Sequence, residues 1–158
     1  MKRQHVITWD QYFIGMAHLS ALRSKDPSTQ VGAVIVSPAN KVVSIGYNGL
    51  PKGCSDDEYP WDRDGSALES KYVYVVHAEL NAILNAPMSV QGCRIYVSLF
   101  PCNECAKAII QAGITEIVYE DDKYADTDIV KASKRMLNSA GVALRQLPHR
   151  VSVSVNVE

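Results

Sequence analysis

Hydrophobic positions near the start of the chain recur at helical spacing. In "TWDQYFIGMAHLSALR" the large apolar side chains are Trp9, Tyr12, Phe13, Met16 and Leu19. This spacing predicts an amphipathic helix whose apolar stripe packs in the core. Thr8, followed three residues later by Gln11, has the pattern of a capping box, so the helix is expected to begin there.

Two β-rich runs follow the first helix. "VGAVIVSP" and "KVVSIGYNG" flank the turn sequence "PANK", which predicts a β-hairpin. Next comes a segment rich in Gly, Pro and Asp, residues 51–76, which indicates a long loop insertion with at most a short helix. A loop of this length in a compact domain is usually either functional or mobile.

The second half of the chain alternates strands with helices. Helical patterns in "HAELNAILNA", "CNECAKAIIQAG" and "TDIVKASKRMLNSAG" alternate with strand patterns in "CRIYVSL", "TEIVYED" and "VALRQLP". The order after the first helix is ββαβαβαβ, and helices between successive strands predict parallel crossovers. We expect one α/β domain over residues 1–158, a three-layer α/β/α sandwich around a central five-stranded mixed sheet.

The C-terminal extended tail, residues 148–158, alternates valine with polar residues in "RVSVSVNVE". Strict alternation is typical of a half-buried strand. An unpaired strand edge promotes aggregation. We therefore expect the tail to pair either with the edge of the sheet or with a neighbouring subunit, and the sequence leaves both options open.

Composition narrows the function classes. Of the 158 residues, 47% are apolar and 21% charged, and the formal net charge is −1. This balance gives no strong bias toward nucleic acid or an anionic membrane. No apolar run approaches the roughly eighteen residues that a membrane span needs, and "MKRQHVITWDQ" lacks the apolar region of a secretory signal. We expect a cytoplasmic protein without a nucleic-acid or membrane partner.

The four cysteines are the first candidates for a functional site: Cys54, Cys93, Cys102 and Cys105. In a reducing compartment a C-x-x-C indicates metal binding or catalysis. The pair in "FPCNEC" admits three interpretations: a thioredoxin-like redox pair, half of a structural zinc site, or part of a catalytic metal site. The element order fits the redox fold poorly, and no second C-x-x-C or H-x-H pair completes a structural site.

The remaining candidate partner is "HAE", His77 to Glu79. His77, Cys102 and Cys105 give three protein ligands, which leave the fourth zinc position open as in catalytic sites. Both ligand groups fall at predicted helix starts, where partial positive charge favours a thiolate. Glu79 is placed to move protons without being a ligand. This H-x-E…P-C-x-x-C arrangement is a known signature of zinc-dependent nucleobase deaminases.

Several longer segments extend the likeness over nearly the whole chain: "SALRSKDPSTQVGAVIV", "GYNGLPKGCSDD", "HAELNAIL", "LFPCNECAKAIIQAGI" and "DKYADTD". They resemble the deoxycytidylate deaminase family within the cytidine deaminase superfamily. The resemblance implies a cytidine deaminase-like fold, one zinc ion per chain, and hydrolysis of dCMP to dUMP and ammonia, which supplies dUMP for thymidylate synthesis. It also implies a homohexamer that dCTP activates and dTTP inhibits, with Mg²⁺ on the triphosphate.

Substrate contacts are expected from this resemblance and from local chemistry. The resemblance places Asn48 on the deoxyribose 3′-hydroxyl; the alternative is a left-handed turn asparagine beside a glycine. The backbone amide of Ala78 is expected to contact the base carbonyl. Ser24 and Lys25, at the end of the first helix, and Tyr124, in a loop after a strand, are candidate phosphate ligands. The alternative for the charged helix end is a solvated surface.

The glycine-rich segment 46–53, "GYNGLPKG", is the candidate effector site. We expect it to expose its backbone, so that Gly46, Tyr47, Asn48 and Gly49 bind the triphosphate. An ordinary loop after a hairpin is the alternative.

Two other functions stay open. The protein could deaminate another substrate, such as cytosine, deoxycytidine, dCTP or adenosine in tRNA, although RNA-acting enzymes need a basic surface. It could also be a zinc module that binds nucleotides without catalysis. The presence of Glu79 argues against this second alternative.

Overall fold

A computed structural model describes all residues, 1–158, as a five-stranded sheet with four α-helices. The elements are α1 Trp9–Ala21, β1 Gly32–Val36, β2 Val42–Tyr47, α2 Ala78–Asn85, β3 Arg94–Leu99, α3 Asn103–Gln111, β4 Glu116–Asp121, α4 Asp128–Ser139 and β5 Ala143–Gln146. Two short 3₁₀ turns lie in the insertion, at Ala67–Glu69 and Lys71–Val73. None of the helices combines the length and apolarity that crossing a bilayer requires.

The strand order in the sheet is β2-β1-β3-β4-β5. Strand β1 is antiparallel to both β2 and β3, whereas β3, β4 and β5 are parallel to one another. The prediction of a mixed five-stranded sheet with parallel crossovers is confirmed. Because β2 and β3 both run opposite to β1, their carboxyl ends point the same way. Helices α2 and α3 therefore begin at the same end of the sheet.

The sheet separates two helical layers, as predicted. Helix α1 covers one face, where Phe13 and Ile14 pack against Val34 and Val36 of β1. Helices α2, α3 and α4 cover the other face, against the alternate side chains of the same strands. Strand β1 buries both of its faces, which explains why it is apolar along its length.

Two glycines let helices lie directly against the sheet. A Cβ atom on Gly32 would lie 1.7 Å from the carbonyl oxygen of Ala17 in α1. A Cβ atom on Gly46 would lie 2.4 Å from the carbonyl oxygen of Ala78 in α2. Only glycine fits at such distances. Gly46 therefore sets the position of the helix that begins just after His77.

The buried face of α1 is only partly the predicted one. Phe13, Ile14 and Ala17 are fully buried, whereas Trp9 is 58% exposed and Leu19 is also exposed. Helix α1 closely approaches the backbone of β1 at Gly32. This explains the difference, because the close approach requires small residues at the centre of the contact. The helix is rotated so that Ala17 faces the sheet and part of the large apolar stripe faces outward.

The C-terminal tail does not pair with the edge of the sheet, since no strand follows β5. Pairing with a neighbouring subunit stays a prediction. The backbone amide of Val151 donates to a side-chain oxygen of Glu120 at 2.9 Å. Arg150 forms an ion pair with Asp121 at 3.1 Å. A carboxylate, rather than a strand backbone, accepts the tail amide. The tail therefore turns onto the α1 side of the sheet, where Val151 packs against the core and Val157 stays exposed.

Candidate metal centre and active site

His77, Cys102 and Cys105 meet at the end of the sheet where α2 and α3 begin. His77 Nδ1 lies 3.4 Å from Cys102 Sγ and 3.5 Å from Cys105 Sγ, and the ligand atoms of all three lie within 4.8 Å of one another. With zinc bonds of about 2.3 Å to sulfur and about 2.0 Å to nitrogen, tetrahedral geometry separates a sulfur ligand from a nitrogen ligand by about 3.5 Å. The observed distances fit, so these residues can hold one zinc ion and leave its fourth position open.

The first residues of α2 and α3 position the metal ligands. His77 is the N-cap residue of α2 and Cys102 is that of α3, and neither side chain makes a capping hydrogen bond. Both ligand atoms are therefore free to face the site. The turn into α3 is fixed from behind, because the buried Ser133 hydroxyl donates to the carbonyl oxygen of Pro101 at 2.8 Å. Cys105 follows one turn later and is buried behind the other two ligands.

The electrostatics of the cluster favour a charged sulfur ligand. A hydrogen bond from the Cys105 thiol, and a smaller effect of the His77 ring, lower the pKa of Cys102 to about 4. The hydrogen bond with Cys102 raises the pKa of His77 to about 9. The N-terminal ends of α2 and α3 add partial positive charge at the site. Such a thiolate is the form of cysteine that binds metal.

Glu79 lies beside the ligands in the first turn of α2 and is only 4% exposed. Burial raises the pKa of its carboxyl group. A carboxyl group with a raised pKa can accept a proton and release it again near neutral pH. The site therefore combines a metal-binding cluster with a buried group suited to proton transfer.

A cavity of about 320 Å³ opens beside the cluster and is lined by His77, Glu79 and Cys102. Its wall is mainly apolar, with contributions from β3, α4, the insertion and the α1–β1 connection. Pockets of about 300–1,000 Å³ with a few converging polar groups are typical of small-molecule sites. The arrangement can hold a small molecule against the metal cluster and Glu79.

Asn48, Ala78 and Tyr124 line this cavity among the predicted substrate contacts. Asn48 is 6% exposed and does not adopt the left-handed conformation, so the turn interpretation is wrong. Its Oδ1 accepts from the Val31 amide at 2.9 Å, and its Nδ2 donates to the Thr29 carbonyl at 2.9 Å. The side chain thus connects the end of β2 to the approach of β1. One lone pair of Oδ1 remains for a ligand.

Ser24 and Lys25 do not line the cavity. The Ser24 hydroxyl donates to the Asn48 carbonyl at 2.8 Å, so it supports the residue that does line it. Lys25 forms an ion pair with Asp56 of the insertion on the exposed surface. The structure therefore brings Tyr124 to the cavity but not the two residues from the end of the first helix.

The candidate effector segment is less exposed than expected. Gly46 lies beneath α2, and Asn48 is buried. The amide of Gly49 donates to the Val76 carbonyl at 3.0 Å, and the Val76 amide donates to the Gly49 carbonyl at 2.8 Å. We call this pair the neck of the insertion, since it joins the two ends of that loop. Tyr47 is the one large exposed side chain among the four expected effector residues.

Several polar cavity residues escaped the sequence analysis: Asp26, Thr29, Arg63, Lys71 and Tyr72. Lys71 is 5% exposed, and its Nζ donates to both carboxylate oxygens of Asp26, at 2.7 and 2.6 Å. This buried ion pair connects the insertion to the α1–β1 connection and forms part of the cavity wall. Lysines are mostly exposed, and nothing in the local sequence distinguishes Lys71 from a solvated one.

A family model and several known proteins match this chain over most of its length. The family model described as "Cytidine and deoxycytidylate deaminase zinc-binding region" matches residues 7–121. Deoxycytidylate deaminase of Homo sapiens is 56% identical over 147 residues, which cover 92% of this chain and 83% of that protein. Probable deoxycytidylate deaminase of Drosophila melanogaster is 51% identical over 165 residues, which cover 99% of this chain and 81% of that protein.

A solved structure confirms the fold. The crystal structure of dCMP deaminase from the cyanophage S-TIM5 in complex with dCMP and dUMP superposes with a TM-score of 0.71 at 24% identity. The match covers 90% of this chain and 100% of that chain. With its sheet, its zinc-type ligand cluster and these sequence matches, the chain belongs to the family of cytidine and deoxycytidylate deaminases.

Proposed function

We propose that the protein catalyses the zinc-dependent hydrolytic deamination of dCMP to dUMP and ammonia, and thereby supplies dUMP for thymidylate synthesis in the cytoplasm. The observation that carries this proposal is the buried Glu79 beside the cluster of His77, Cys102 and Cys105, at the wall of one cavity. Relatives more than 50% identical are named deoxycytidylate deaminases, which supports dCMP as the substrate.

In this mechanism three residues of the chain would hold the zinc ion, and Glu79 would transfer protons. Zinc bound by the three ligands supplies Lewis-acid activation of a water molecule. Glu79 takes the proton of that water and delivers it to N3 as oxygen adds to C4 of cytosine. It then takes the proton of the new C4 hydroxyl and gives it to the amino group, the C4–N bond breaks, and ammonia leaves as the C4 carbonyl forms. One carboxyl group thus acts as base and acid in turn.

The remaining contacts would orient the nucleotide. The amide of Ala78, in the first turn of α2, has no partner within the helix and is available to the base carbonyl. Asn48 offers its free lone pair to the deoxyribose hydroxyl. Ser24 supports Asn48 through its carbonyl. Tyr124 presents its hydroxyl for the phosphate.

A substrate survey tests the proposal. The purified protein is assayed for ammonia release with cytosine, deoxycytidine, CMP, dCMP and dCTP, and zinc is measured per chain. We expect about one zinc per chain and the highest kcat/KM for dCMP, because donors aimed at a phosphate are left unpaired when it is missing. A higher kcat/KM for another compound would select the alternative deaminase. The absence of ammonia with all five would indicate a binding module.

Regulation is the second part of the proposal. We propose a homohexamer that dCTP activates and dTTP inhibits, each with Mg²⁺, and an effector site that includes Gly46, Tyr47, Asn48 and Gly49. Family membership supports it, as does the fact that this segment contains both Gly49 of the neck and the cavity-lining Asn48. An effector must bind the two states with different affinity, typically by about 1–3 kcal/mol.

A titration with dCMP measures this coupling. In a hexamer we expect a sigmoidal rate curve that dCTP makes more hyperbolic and that dTTP shifts to higher dCMP. Light scattering gives the oligomer size in the same buffers. Hyperbolic curves that neither triphosphate moves would show that the chain has the chemistry without the switch.

A further inference from the structure

Arg63 gives the cavity one cation without an acidic partner. It lines the cavity and takes part in none of the ion pairs of the structure. Lys71, the other cavity cation with a fixed charge, is paired with Asp26. Asp62 and Asp64 flank Arg63 in the sequence, but neither forms an ion pair with it. The guanidinium group is therefore the uncompensated positive charge of the wall.

Arg63 stands at the mouth of the cavity. It is exposed to solvent while lining the pocket, and so is Tyr72. The groups expected to meet the base and the sugar, Glu79 and Asn48, are buried. A nucleotide with its base against Glu79 would therefore direct its 5′ end toward the mouth, where Arg63 lies.

A tyrosine hydroxyl group orients the guanidinium of Arg63, and a second tyrosine lies near it. Arg63 Nε donates to the Tyr72 hydroxyl at 2.9 Å. The hydroxyl of Tyr72, and after it that of Tyr124, raise the pKa of Arg63 by stabilising its charged form. A guanidinium has five N–H donors in a planar fork, so these contacts leave donors for a ligand. Both tyrosines line the cavity as well.

We propose that Arg63, oriented by Tyr72 and assisted by Tyr124, binds the 5′-phosphate of a nucleoside monophosphate substrate. This inference rests on the proposed function, and it assigns the discrimination between dCMP and deoxycytidine to the insertion. The planar fork of arginine matches two oxygens of a phosphate, and such charge-assisted pairs are among the strongest hydrogen bonds in proteins. Lys25 is engaged with Asp56 outside the cavity.

Three substitutions test the assignment: Arg63→Gln, Arg63→Lys and Tyr72→Phe. We measure kcat/KM for dCMP and for deoxycytidine with each and compare the selectivity ratio. Arg63→Gln should lower the ratio by roughly 10–100-fold, the usual effect of losing a hydrogen bond to a charged group. Arg63→Lys should recover part of the loss, because it keeps the charge but not the fork. Tyr72→Phe should lower the ratio less than Arg63→Gln.

The matched control is Arg135→Gln, which removes an exposed arginine of α4 outside the cavity. It should leave the ratio unchanged. A second readout is independent of turnover: calorimetry should show that Arg63→Gln weakens binding of dUMP but not of deoxyuridine. Circular dichroism confirms folding, which this exposed position should not affect.

The outcomes separate this inference from the proposed function. A wild-type protein that does not deaminate dCMP would contradict the function itself. A wild-type protein that prefers dCMP, together with an Arg63→Gln variant of unchanged selectivity and dUMP affinity, would overturn the phosphate assignment alone. Loss of selectivity in Lys25→Gln instead of Arg63→Gln would overturn it equally.

Discussion

Replacing Glu79 by glutamine is expected to remove nearly all turnover of dCMP while the fold and the zinc content stay intact. Glutamine keeps the size of this buried side chain, but it can neither take nor return a proton. A general acid–base group typically contributes about 10²–10⁴-fold to the rate, and the upper end is expected here because one carboxyl group serves several transfers. The measurements are kcat for dCMP and zinc per chain.

Glu104→Gln is the matched control for this substitution. Glu104 occupies the first turn of α3 as Glu79 occupies that of α2, but its side chain is exposed and pairs with Lys107. Its loss should leave kcat within a factor of about two, since exposed ion pairs contribute little. A Glu79→Gln variant that kept a tenth of wild-type kcat would rule out the proton-transfer role.

Cys102→Ser and Cys105→Ser should each lose zinc, with a lower thermal midpoint. A serine hydroxyl is not ionised at neutral pH and is a poor substitute for a thiolate ligand. Changes outside the ligand shell already cost about 10–100-fold in metal affinity, so removing a direct ligand should cost more. Stability should fall as well, because the free energy of metal binding adds to that of folding and the ligands connect α2 with α3.

Emission spectrometry of zinc and thermal unfolding, each with and without added zinc, check this expectation. Cys54→Ser provides the control, since Cys54 is a free thiol outside the cluster. It should keep the zinc and the thermal midpoint of the wild type. Full zinc occupancy in either cluster variant would remove that cysteine from the metal site.

Local signals made much of the fold and the metal cluster predictable. The capping box is present, with Gln11 N donating to Thr8 Oγ1 at 3.1 Å and Thr8 N donating to Gln11 Oε1 at 2.9 Å. His77 and Cys102 fall at the predicted helix starts, and Cys102 directly follows Pro101, a residue that favours the beginning of a helix. Interactions that are satisfied within one turn can be recognised from one turn of sequence.

Other features depend on distant partners and could not be predicted in this way. Lys71 is buried because Asp26, 45 residues away, accepts both of its hydrogen bonds. The outward position of Trp9 follows from the contact between Ala17 and the β1 backbone at Gly32. The valines of the tail have a strand pattern, yet a carboxylate of β4 determines where Val151 lies. In each case the deciding group is absent from the local sequence.

The neck of the insertion gives the two halves of the active site different evolutionary freedom. Because Gly49 and Val76 are joined by two backbone hydrogen bonds, the loop between them can change in length without displacing His77. Each doubling of the length of a flexible loop costs only about 0.6 kcal/mol in closure entropy. Arg63 and Tyr72 lie inside that loop, whereas the metal ligands and Glu79 lie outside it. On the proposed role of Arg63, changes in this loop would alter which cytosine compound is preferred while the residues of the deamination chemistry stay in place.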